Sequence, residues 1–128
     1  MSRRLDALFA ERVMGMLVTD LGWVHPPGSY VMASARDAVA ECVPCYTQDL
    51  SAAWEGVETV GWCELSGPHR GAVAEGREGY WARVEPWDAA GRDSVDVHAG
   101  TPALAVVLAC LQAVGVGEEE IADAEAGT

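Results

Sequence analysis

Residues 41–54, ECVPCYTQDLSAAW, admit two readings. The Cys-x-x-Cys pair at 42 and 45 could hold a metal or run thiol chemistry. The run from Tyr46 to Asp49 could instead be the place where the chain turns into a helix. Spacing downstream favours the helix: Leu50, Ala53, Trp54, Val57 and Val60 fall on one stripe, with Ser51, Glu55, Glu58 and Thr59 opposite. Thr47 is the natural N-cap on this reading, and Asp49 sits in the first turn, where a carboxylate meets the positive end of the helix dipole. Gly56 in mid-helix costs about 1 kcal/mol against Ala, and Gly61 ends the helix. The pair of thiols is half a zinc site. Completing it needs two ligands from Cys63, Cys110, His25, His69 or His98, none of which shows paired spacing. The sequence therefore favours no metal and no cofactor. If a metal binds at all, Cys42 and Cys45 are its ligands. A thioredoxin-like role needs the pair at a helix start, and a cap at Thr47 leaves both thiols ahead of it.

The flanking chain has one domain's length. Of 128 residues, 20 are acidic and 8 basic, giving a net charge of −12. Every base is an arginine. Such a chain repels phosphate backbones, so general nucleic-acid binding is disfavoured, while a basic partner protein is suited. Asp6 and Glu11 interrupt the N-terminal apolar residues, so no export signal is expected. The longest apolar run, residues 103–111, is too short for a membrane span. The expected location is the cytoplasm, with the four cysteines mostly reduced.

Leu5, Leu8, Phe9, Val13 and Met16 predict a first helix over 5–16, with Asp6, Glu11 and Arg12 turned away. Trp23–Val24 and Tyr30–Met32 predict a loose hairpin around Pro26, Pro27 and Gly28. Residues 62–65, 79–87 and 94–99 read as successive strands. In the second, Tyr80, Ala82 and Val84 alternate against Trp81, Arg83 and Glu85; in the third, Val95 and Val97 point inward. Strands in immediate succession favour an antiparallel meander. Thr101 and Pro102 open a last helix, with Leu104, Val107, Leu108, Leu111 and Val114 as its main stripe and Gly115 as its stop. That helix is apolar nearly all round, which predicts deep burial or a homodimer interface. The expectation is one α+β domain over 1–116, an antiparallel sheet layered with three main helices, followed by an acidic disordered tail over 117–128.

Three of these segments resemble the phage ABA sandwich domain family. Val13-Met14-Gly15 matches its opening helix motif. Tyr46-Thr47-Gln48-Asp49 with Ala52-Ala53-Trp54 matches its central one, and Thr101-Pro102 with the following helix matches its close. Residues 18–42 and 63–79 differ from the family pattern, and the acidic tail is extra. The resemblance implies an α/β/α sandwich and a phage origin, and it implies no activity.

No nucleophile–base arrangement or phosphate-cradling glycine spacing can be read from the chain. The candidate binding residues are Tyr46, Trp81, Arg83 and Trp87, because Trp and Arg recur at binding hot spots and a guanidinium can stack on an indole. Three function classes remain. The first is a non-enzymatic viral protein that binds a host protein, as an inhibitor or decoy in counter-defence. The second is a sponge for a small nucleotide in an inter-protomer pocket, with Trp81 or Trp87 stacking and Arg83 or Arg77 meeting phosphate. The third is an enzyme, which has least support.

Overall fold

The computed structural model describes residues 3–20, 30–33, 41–67, 79–87 and 94–126. The chain is α+β, with helices layered on antiparallel sheet. Its elements are α1 (Arg3–Arg12), β1 (Leu17–Asp20), β2 (Tyr30–Ala33), β3 (Glu41–Cys42), α2 (Leu50–Val60), β4 (Gly61–Ser66), β5 (Tyr80–Pro86), β6 (Val95–Ala99), α3 (Pro102–Ala113) and α4 (Glu118–Ala126). Strands β4, β5 and β6 form the expected meander, and β1, β2 and β3 form a second antiparallel sheet beside α1. The hairpin pairs Leu17–Asp20 with Tyr30–Ala33; Trp23 and Val24 lie outside the described residues.

Helix α3 is the centre of the molecule. Thr101 caps it by accepting the Leu104 amide at 3.2 Å, and Pro102 occupies its first turn. Its end is a Schellman arrangement: Gly115, at φ +92°, donates to Gln112, and Val116 donates back to Leu111. Ala105, Val106, Val107, Ala109, Cys110 and Leu111 are all inaccessible to solvent. The buried surface is thus wider than the predicted stripe, in which Leu104 and Leu108 are only half-buried. Strands β5 and β6 cover α3 on one side, with α2 and the first and last helices around the rest. The chain itself satisfies the apolar circumference that suggested a homodimer, so that argument for a partner copy lapses.

Helix α1 ends earlier than its apolar spacing suggests, at Arg12, because Gly15 takes a left-handed conformation at φ +72°. Phe9 of α1 lies over Gly56 of α2. A Cβ on Gly56 would come within 2.8 Å of Phe9 Cε1 and 2.9 Å of Val13 Cγ1. The glycine that weakens α2 in isolation is what lets the two helices close. Helix α2 passes directly into β4, and Gly61 has no room for a side chain, since a Cβ would meet the Glu85 carbonyl carbon at 2.7 Å.

Two expectations are corrected here. Asp6 is not turned away: it is fully buried and accepts the Thr47 amide at 2.7 Å. That contact holds residues 46–48 in a turn, so α2 starts later and its cap is Asp49, which accepts from Ser51 and Ala52, rather than Thr47. The acidic segment also contains a helix that its spacing did not announce. Residues 118–126 form α4, in which Ile121 and Ala124 are buried and Arg12 bridges Glu120 at 2.8 Å. Three glutamates in its first turn face the positive end of the dipole, and two apolar residues three apart supply the docking stripe.

Two substitutions test this packing. Gly56→Ala raises helix propensity yet should lower unfolding stability by about 1–3 kcal/mol, because Phe9 must move; a denaturant midpoint that rises would refute the close approach. Asp6→Ala should cost about 1–3 kcal/mol by leaving the Thr47 amide buried without its acceptor, and Asp6→Asn should cost less.

Candidate functional site

The inner face of β4–β6 carries Ala82, Val84, Val97 and Ala99 against α3. Alternation then sends Trp62 and Glu64 of β4, Trp81, Arg83 and Glu85 of β5, and Asp96 and His98 of β6 to the outer face. Register sets them in rows: Trp62 opposite Glu85; Glu64, Arg83 and Asp96 across the middle; Ser66, Trp81 and His98 beyond. Helices lie on the inner face only among the described residues. Trp62 is 48% exposed, and Glu64, Glu85 and Asp96 are exposed. The second helical layer implied by the family resemblance does not cover this face within the described residues.

Arg83 is held in place by its neighbours. Its Nη2 donates to Ser94 Oγ at 3.0 Å, while Nε lies 3.8 Å from a Glu85 oxygen and 3.9 Å from an Asp96 oxygen, without a hydrogen bond to either. A guanidinium already surrounded by carboxylates is poorly placed to recruit a nucleotide's phosphate. Arg77, the other arginine considered for that role, lies outside the described residues.

The four candidate residues are not one site. Trp81 and Arg83 are neighbours on the outer face, half-buried. Trp87 falls past the end of β5, where its indole N–H donates to the Glu58 carbonyl at 3.0 Å. It borders a cleft of about 270 Å³ shared with Val13, Val60, Pro86, Ala113 and Val114. Among the described residues no titratable side chain lines this cleft, and the Thr59 hydroxyl at its wall donates to the Gly56 carbonyl. Tyr46 is core: 2% exposed, its ring 4.6 Å from that of Phe9. Burial, then the charges of Glu55 and Asp6, push its hydroxyl above the ordinary tyrosine value. Sequence reasoning missed Trp62, although the alternation that placed Trp81 outward also places Trp62 there once the register is known.

Cys45 is exposed, Cys63 half-buried and Cys110 buried, all as free thiols. Cys42 lies in β3. No group of three or more His, Cys, Asp or Glu suited to a metal occurs among the described residues. No helix there is long and apolar enough to cross a membrane.

No family model matches the chain, and no curated protein matches it significantly. The fold is similar to that of a solved phage protein from Bacillus cereus ATCC 14579, with a TM-score of 0.64 and 19% identity. The match covers 89% of this chain and 88% of that one. At that identity the likeness establishes a shared fold. The fold is thus one found in a phage protein, and membership of the ABA sandwich family itself is not shown.

The thiols give a direct check. Burial and the nearby Glu64 charge push Cys63 up to about 11; burial and the nearby Cys63 push Cys110 up to about 12. Native-state alkylation near pH 8, followed by mass spectrometry, should modify Cys45 well before Cys63 or Cys110. Above the ordinary thiol value of 9.0 the unfolded chain releases protons that the fold retains, so stability should fall as pH rises from about 9 to 11. Cys110→Ala should flatten that slope in urea titrations, and an unchanged slope would contradict the assignment.

Proposed function

We propose that this chain is a non-enzymatic phage accessory protein that works by binding, acting in the host cytoplasm as an inhibitor or decoy of a host factor, including a defence factor. The observation that supports this reading is the outer face of β4–β6, which no helix covers among the described residues. An exposed indole and a second, half-buried one stand there among carboxylates, on a rigid sheet backed by the core. Protein recognition favours such surfaces, with aromatic anchors inside a polar surround. The likeness to a phage protein's fold supports the phage setting. Among the described residues, the cleft beside Trp87 is lined by no titratable side chain, and the buried Asp6 and Tyr46 lie where α1 packs against the entry to α2. A nucleotide sponge is less well supported, since Arg83 stands beside Glu85 and Asp96, whose charges oppose a phosphate there.

Tagged protein recovered from infected cells should carry a specific host protein, and the variant Trp81→Ala/Glu64→Arg should lose it while keeping its circular dichroism spectrum. Expression of the wild type should raise phage plating on hosts that carry the targeted defence. A nucleotide that raises the unfolding temperature by several degrees, with no protein recovered, would replace this reading with the sponge.

A further inference from the structure

We infer that Trp62, with Glu64 and Glu85, forms a seat for an arginine side chain presented by an extended basic segment of a partner protein. The inference rests on the binding role proposed above and assigns that role its partner chemistry. Trp62 is one of two large apolar side chains that stand well exposed among the described residues, and it is the one on the sheet face. Glu85 lies directly across from it on β5, and Glu64 lies two residues along the same strand, hence on the same face. An indole flanked by carboxylates is complementary to a cation. The ring attracts positive charge over its face, while the carboxylates accept its N–H groups. Arginine fits better than lysine because its planar guanidinium can lie on the ring and bond a carboxylate at the same time.

Charge selects the class of occupant. Among the described residues the face holds three carboxylates, Glu64, Glu85 and Asp96, against one guanidinium, Arg83, whose Nη2 is engaged by Ser94. A nucleic acid would be repelled by this face and by the net charge of −12. A second copy would bring the same acidic face and the same net charge, and like charges opposed across an interface suppress such pairing. A basic polypeptide meets neither obstacle.

The test uses the full chain and two fluorescent peptides, one alternating arginine with serine and one alternating lysine with serine, in anisotropy titrations at about 0.1 M salt. The arginine peptide should bind more tightly than the lysine peptide. Trp62→Ala and Glu85→Gln should each weaken it by roughly 3–30-fold, the range a desolvated cation–aromatic contact supplies. The control Glu118→Gln/Glu119→Gln removes two charges from α4, away from the face, and should change binding by no more than about twofold, as screening predicts. Far-UV spectra and unfolding midpoints verify that each variant is folded; Trp62 is exposed, so its removal leaves the core intact. Equal losses from the face and α4 variants would reduce the effect to bulk charge and overturn the seat, as would lysine binding equal to arginine. If a host protein is recovered from infected cells and Trp62→Ala still binds it, the seat is overturned and the binding role stands. If the peptide depends on Trp62 but no host protein is recovered, the seat stands and the counter-defence role falls.

Discussion

The side chain of Asp6 sits in the interior and receives the Thr47 amide, which ties α1 to the turn that opens α2. A buried polar side chain is costly unless it is well bonded, so the fold favours the meeting of these two chain segments. Once joined, α1 lies alongside the turn that launches α2. Phe9 then reaches both Tyr46 and the bare backbone of Gly56. The stretch from Cys45 to Asp49 is therefore a structural joint, and the Cys-x-x-Cys spacing sits beside it without needing a metal to explain it.

Periodicity disclosed the elements wherever one face of an element met the core. The stripe of α2, the alternation of β5 and β6, and the cap and stop of α3 all follow from residue spacing, and all are present. What spacing could not disclose was partnership across the chain. Asp6 looks like a solvated helix residue until Thr47 is known to be its neighbour, and that contact moves the helix cap from Thr47 to Asp49. Gly56 looks like a defect until Phe9 is known to lie over it. The acidic segment after Gly117 looks featureless because two residues, Ile121 and Ala124, suffice to dock it when α1 and α3 are already there.

The same distinction governs the candidate site. Alternation correctly put Trp81 and Arg83 on one face, but whether helices covered that face was a question of layers. Tyr46 lies in the core because its neighbours belong to α1, far away in sequence, whereas Trp87 is exposed but stands past the end of the strand, apart from Trp81 and Arg83. Trp62 emerged only from register, which sets it across from Glu85 and beside the row of Glu64, Arg83 and Asp96.

The junction of α2 and β4 has no intervening loop: Val60 closes the helix and Gly61 opens the strand. Side chains on either side of this seam belong to different surfaces, Val60 to the interior and Trp62 to the exterior, yet only one residue separates them. The seam leaves no room for any residue but glycine, because a side chain at Gly61 would collide with the β5 backbone at Glu85. A surface indole and an interior helix therefore share one stretch of backbone, and the position of Trp62 is set by the packing of α2.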